Sequence, residues 1–212
     1  MQESNGPFFA PDCFEEFSAL LSRCYEKKER VQITYGDTAA GPTVTTFSMK
    51  HLNNISRIDK INSRLTFQCG VRISEILAML SDSVYSKFPF TRFTLSESIG
   101  RYFTHKGVFH ADSLTSLKVI LPNGTLMSLG SHAFASVSGY NAMDCFLGSK
   151  NVLGIPVEYS FRLVLPEQEN DAYRARFEPD KTDHIPEPDE RKLILKLKTL
   201  YDPVNILNTF EL

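Results

Sequence analysis

Apolar residues recur along this chain with two periods, and the changes from one to the other divide it into elements. Phe14, Phe17, Leu20, Leu21 and Cys24 fall at helical spacing and predict an amphipathic helix from Pro11 to about Lys28, with Asp12 and Glu15 in the form of a capping box. Val31, Ile33 and Tyr35 alternate with polar residues and predict a strand that runs into a small-residue loop, Gly36 to Thr43. TVTTFSM is the next strand candidate; Leu65, Phe67 and Cys69 alternate in another, closed by Gly70. Ile73, Ile76, Leu77 and Leu80 then give one helical face, so Ser74 to Ser81 lies on a short helix.

From Phe88 to Ser113 the periodicity fades, and the segment reads as a loop rich in aromatics and hydroxyls. Phe and Tyr gain most when covered, either by the core or by a bound planar ligand. Leu114 to Leu121 is a strand, Pro122-Asn123-Gly124 a tight turn, and TLMSLG its returning partner. Val157 to Pro166 alternates again as the last strand of the main lobe. RKLILKLK, Arg191 to Lys198, alternates charge with Leu and Ile and predicts a half-buried strand or helix face.

Composition narrows the function. In 212 residues, 42% are hydrophobic, enough for a substantial core, and a formal net charge of -2 without a dense Lys/Arg run excludes an electrostatic case for nucleic acid. The four cysteines form no CxxC or Cys/His cluster, so neither a metal site nor a disulfide framework is expected. Without a signal-like N-terminus or a membrane-spanning apolar run, a cytoplasmic protein is expected.

Two stretches carry candidate chemistry. Gly36 to Thr43, GDTAAGPT, leaves a strand with almost no side-chain bulk and several free N–H groups, which is either a plain turn or a nest for phosphate. It matches neither a Walker loop nor a GxGxxG fingerprint. GYNAMDCFLGSKNVLGI, Gly139 to Ile155, sets Gly139, Gly148 and Gly154 between two strands, as turns or as bare backbone beside a ligand. His105 and His110 have no acid or nucleophile fixed beside them in the sequence, and the catalytic residues are left unknown.

Several of these pieces, in their order, resemble one family. PDCFEEF through ITYGDTAAGPT is similar to its helix, strand and phosphate loop; MKHLNNISRID, LTFQCGV and ISEILAML to its next strands and helix; Ser98-Ile99-Gly100 to its flavin-facing Thr-Ile-Gly-Gly. LKVILPNGTL matches its ribbon, SGYNAMDCFLGSKNVLGIPVEYSFRLVLP its Ser-Gly-Tyr-Asp, Gly-Ser and Leu-Gly-Ile run, and YDPVNILN its closing Asp-Pro motif. The chain thus resembles the flavoproteins with a PCMH-type FAD-binding domain, the vanillyl-alcohol oxidase superfamily, and among them the FAD-binding subunits of bacterial glycolate oxidases.

The resemblance implies an α+β fold of two small β-sheets flanked by helices. It implies a FAD-binding domain over residues 1–166 (subdomains about 8–70 and 71–166), an acidic connector at 167–190, and a C-terminal segment at 191–212 docking on the domain. It further implies non-covalent FAD, with Gly36, Asp37, Thr38, Ala39, Ala40 and Gly41 along the pyrophosphate, and Ser98, Ile99 and Gly100 beside pyrophosphate and flavin. Ser138, Gly139 and Tyr140 would border the cofactor, Gly148, Gly154 and Ile155 its adenine end, and Asn208 the isoalloxazine. The chain departs from the family in having Asp37 within the phosphate loop, Arg101 in place of a second glycine, and only a short connector where relatives carry a substrate domain. The implied function is a FAD-binding subunit of a 2-hydroxy-acid oxidoreductase completed by other subunits. Two alternatives stay open, a cofactor-free domain with an assembly role and a small flavoenzyme completed by a homodimer.

Overall fold

The computed structural model describes residues 6–37, 41, 43–87, 89–105, 113–130, 142–171, 174 and 188–207. They form the expected α+β arrangement of two small sheets flanked by helices. Strand β1 (Phe8–Phe9) is followed by helix α1 (Phe14–Lys27), then strands β2 (Val31–Thr34) and β3 (Thr45–Ser48). These three strands make a parallel sheet in the order β1-β3-β2, with Val31 opposite Thr45 and Phe8 opposite Thr46. The second sheet is antiparallel, in the order β4 (Arg64–Gln68), β7 (Ile155–Arg162), β5 (Leu114–Ile120), β6 (Leu126–Gly130). Strand β4, grouped by the sequence with the first subdomain, pairs along its length with β7.

Helix α1 buries Phe17, Leu21 and Cys24, and the Phe17 ring meets Phe47 of β3 at 5.2 Å between centroids. Its cap sits one residue beyond the expected capping box. Cys13 is the N-cap, its sulfur accepting from the Glu16 N–H, while the Glu16 carboxylate accepts from the Asp12 N–H at 3.0 Å. Glu16 instead of Glu15 therefore ties the helix start, reaching back to the residue before the N-cap. Helix α2 (Ile73–Ser81) buries Ile73, Ile76 and Leu80 on the predicted face.

The expected loop from Phe88 to Ser113 contains a helix, α3 (Ile99–His105), preceded by one turn of 3-10 helix at Phe90–Arg92. Phe90, Phe93, Tyr102 and Phe103 are buried, and the protein itself covers them: Phe93 stacks on Tyr102, and Phe103 on Tyr159 of β7. They form one continuous core with the β4 and β7 side chains.

The RKLILKLK segment lies within helix α4 (Pro188–Tyr201), which docks the C-terminal segment on the main lobe. Tyr201 packs on Phe146, and the buried Lys198 ammonium donates to the Val152 carbonyl and pairs with Asp202 at 2.9 Å. The Asp202 carboxylate also accepts from the N–H groups of Ile206 and Leu207, both at 3.0 Å. The turn so fixed places the Ile206 carbonyl against the Val31 N–H, covering the free edge of β2 at its amino end.

Removing the carboxylate takes the Asp202 ion-pair partner from a buried ammonium and frees two backbone donors. Asp202→Ala is expected to lower stability by about 3–5 kcal/mol, read by denaturant unfolding, with the loss concentrated in hydrogen-exchange protection of residues 202–207.

Candidate functional site

In a parallel sheet the strand ends of one polarity lie side by side, and ligands of α/β sheets settle outside the carboxyl ends. Here that edge carries Tyr35, Gly36 and Asp37 after β2, and Met49, Lys50 and His51 after β3. The Ser48 hydroxyl donates to the Gly36 carbonyl at 2.7 Å and fixes the start of the loop on β3. At the far end of the loop the Gly41 carbonyl accepts from the Gly6 N–H at 2.9 Å.

Among the described residues nothing lies within 4 Å of a Cβ added at Gly36 or Gly41, and Gly41 has φ +139°. A ligand can therefore approach the bare backbone at both described ends of the loop. The Asp37 carboxylate is answered by the Lys50 ammonium, which contacts it directly. The pair is exposed and contributes little to stability, but it cancels the negative charge that would otherwise oppose a phosphate. A His51–Asp12 pair at 2.7 Å lies next to it, at the ends of β3 and β1. This donor set suits a phosphate-bearing ligand: bare backbone and one cation. Thr38, Ala39 and Ala40 lie outside the described residues.

Ser98, Ile99 and Gly100 open helix α3, and their polar groups are engaged within the protein. The Ile99 N–H donates to Val71 and the Gly100 N–H to Cys69, both at 2.8 Å, while the Ser98 hydroxyl accepts from the Arg101 N–H at 3.4 Å. A Cβ on Gly100 would stand 2.6 Å from both the Cys69 carbonyl oxygen and the Tyr35 ring. Gly100 is thus a packing glycine that lets α3 press on the ends of β2 and β4.

The stretch ending at Ile155 closes the other end of α3. The Gly148 N–H donates to Phe103 and the Lys150 N–H to Thr104, capping the last carbonyls of the helix. Gly148, Lys150 and Asn151 adopt φ of 68°, 51° and 63°. A Cβ on Gly154 would fall 2.8 Å from Val119, and Ile155 is fully buried in β7. Ser138, Gly139, Tyr140, Asn208, His110 and the His105 side chain lie outside what is described. Arg101 is exposed and pairs with Glu97 at 3.5 Å.

Burial pushes the Cys69 thiol up to about 12, so it stays protonated and unreactive at neutral pH. The hydroxyls of Tyr35 and Tyr159 are raised by the same burial. Among the described residues no group of three or more His, Cys, Asp or Glu side chains is placed to hold a metal.

Lys50 escaped the sequence reading because its role follows from strand adjacency. Only the parallel pairing of β2 with β3 puts residue 50 beside residue 37.

No protein-family model matches the chain. In sequence it is 26% identical over 180 residues to D-lactate dehydrogenase [cytochrome] 1, mitochondrial, of Saccharomyces cerevisiae, covering 75% of this chain and 30% of that protein. It is 30% identical over 171 residues to glycolate oxidase subunit GlcD of Bacillus subtilis, covering 73% and 36%. A D-lactate dehydrogenase of Anaerostipes hadrus is 26% identical over 166 residues, covering 71% and 34%. The chain thus spans about a third of the length of the relatives it matches. Among solved structures, an alkyldihydroxyacetonephosphate synthase superposes with a TM-score of 0.56 at 17% identity, covering 77% of this chain and 33% of that one. No helix among the described residues is long and apolar enough to cross a membrane.

Substituting Gly100 tests the packing of α3. Gly100→Ala meets a backbone oxygen that has nowhere to swing, and is expected to cost about 1–3 kcal/mol in urea unfolding.

Proposed function

We propose that this chain, which has the PCMH-type FAD-binding fold of the vanillyl-alcohol oxidase superfamily, is the FAD-binding part of an oxidoreductase acting on a 2-hydroxy acid such as glycolate or lactate. The observation that carries the reading is the open backbone at Gly36 and Gly41 beside the Lys50 ammonium. In this reading Gly36, Asp37, Thr38, Ala39, Ala40 and Gly41 border the pyrophosphate, with backbone N–H dipoles neutralising it. FAD, when bound, supplies the transfer of hydride or electrons.

Ser98, Ile99 and Gly100 act as a wall, since the N–H groups of Ile99 and Gly100 are spent on Val71 and Cys69. Ser138, Gly139 and Tyr140 border the cofactor. Gly148, Gly154 and Ile155 shape the adenine side through the backbone they fix, and Asn208 approaches the flavin from the tail. The 2-hydroxy acid follows from the names of the relatives, and their greater length leaves room for a substrate-binding part outside the matched stretch. A second protein chain, either another subunit of the complex or a second copy, would cover the flavin and supply the acid–base groups.

The second reading is a domain without cofactor, kept for assembly. It is favoured by the internal use of the N–H groups of Ile99, Gly100, Gly148 and Lys150. Titration with FAD, followed by quenching of flavin fluorescence, separates the two. Saturable binding is expected from the first reading, and a colourless protein that ignores FAD would establish the second.

Charge sets the expected order among variants. Asp37→Asn frees Lys50 for the pyrophosphate and tightens binding, whereas Lys50→Met leaves Asp37 unopposed and weakens it about tenfold, the scale of one charge-assisted hydrogen bond. Both differences shrink as salt is raised.

A further inference from the structure

The start of the phosphate loop is held from two directions. Strand β2 ends at Thr34, whose carbonyl accepts from the Met49 N–H at 2.8 Å. Beyond that point the Ser48 hydroxyl ties Gly36 back to β3, within its own sheet, at 2.7 Å. Tyr35, the residue between, is tied to α3 instead. A Cβ added at Gly100 would stand 2.6 Å from its ring, and its hydroxyl shares a 3.1 Å hydrogen bond with Thr104. Residues 100 and 104 lie one above the other on one face of a helix, so the Tyr35 side chain runs along α3 for about one turn.

Thr104 is fully buried, and its carbonyl accepts from the Lys150 N–H of the 148–151 turn at 3.1 Å. Asn151 and Tyr159 stand beside the same two hydroxyls. The opposite end of α3 is the Ser98–Gly100 wall. One side chain thus links the loop to a helix whose two ends carry the other described parts of the proposed site. The ring and the hydroxyl contribute differently to this link. Apolar packing on Gly100 is non-directional and tolerates sliding along the helix, whereas a hydrogen bond holds only over a narrow range of distance and angle. A threonine in a helix can also turn its hydroxyl to the carbonyl four residues back, so α3 does not need Tyr35 in order to satisfy Thr104. What the bond adds is the position of the loop.

We propose that Tyr35 is a positioning residue: through Thr104 it sets the spacing between the backbone at Gly36 and the helix that carries the Ser98–Gly100 wall and the 148–151 turn. The inference rests on the reading of this chain as a FAD-binding domain. A ligand held at the loop by its phosphates then meets both ends of α3 in register. The tie favours a ligand that spans loop and helix over one that touches the loop alone.

Tyr35→Phe keeps the ring and removes the hydroxyl. Its affinity for FAD, read by flavin fluorescence quenching, is expected to fall about threefold to tenfold, the scale of one net hydrogen bond. Its affinity for inorganic pyrophosphate, read from amide shifts by NMR, is expected to stay the same. Thr104→Val should reproduce the loss and Thr104→Ser should bind as the unaltered protein does, while the Tyr35→Phe/Thr104→Val double variant is no weaker than either single one. Where the unaltered protein binds FAD, an equal loss for both ligands, or none for FAD, overturns the proposal, because a general softening of the fold does not distinguish the two. The ligand-free protein supplies a measurement independent of FAD. Backbone order parameters of Gly36 and Asp37 are expected to fall in Tyr35→Phe and Thr104→Val and to hold in Thr104→Ser. If they fall while the unaltered protein takes up no FAD, the cofactor reading fails and the tie stands; if they do not change, the tie is rejected.

Discussion

Everything in this lobe is arranged about the close approach of helix α3 to the strand ends at Tyr35 and Cys69. Gly100 permits it, because any larger residue would drive into the Cys69 carbonyl and the Tyr35 ring. The contact brings the parallel sheet and the antiparallel sheet to the same short helix. Both ends of that helix are then closed by distant parts of the chain, the first turn by Cys69 and Val71 and the last by Gly148 and Lys150. A seven-residue helix is too short to stand on its own propensity, so it exists because these partners satisfy its terminal groups.

That dependence explains which features were legible in the sequence. Helices α1 and α2 and strands β2, β4, β5 and β7 announce themselves through regular apolar spacing, since each buries one face. Helix α3 does not, because Ile99, Tyr102 and Phe103 make too short a run to establish a period and Gly100 lowers local propensity. The cap of α1 moved by one residue because a cysteine sulfur, an unusual acceptor, takes the place expected of Asp12. For helix α4 the sequence reads as either strand or helix because RKLILKLK alternates at period two, while its buried face is set at helical spacing by Ile194, Leu197, Lys198 and Tyr201.

The candidate site divides along the same line. A glycine in the sequence announces a missing Cβ but not what fills the gap. At Gly36 and Gly41 no described residue fills it; at Gly100 and Gly154 it is occupied by Cys69, Tyr35, Val119 and Phe146. The resemblance that placed all of them beside one cofactor therefore mixes two roles. Some positions leave the backbone accessible, and others give the surrounding backbone its shape. The electrostatic partner of Asp37 was hidden for a different reason, since no local pattern relates residues 37 and 50.

The Asp202 turn bears on how such a lobe tolerates changes in chain length. The groups that lock it are Lys198, Asp202, the N–H groups of Ile206 and Leu207, and the carbonyl of Val152, with Val31 receiving the result. Among the described residues, none of these groups belongs to the connector at 167–190. Closure of the lobe is thus encoded on the two flanks of the connector, which makes that segment a natural point for insertion or deletion. A domain could be gained or lost there over evolutionary time while the tail continued to find the same seat.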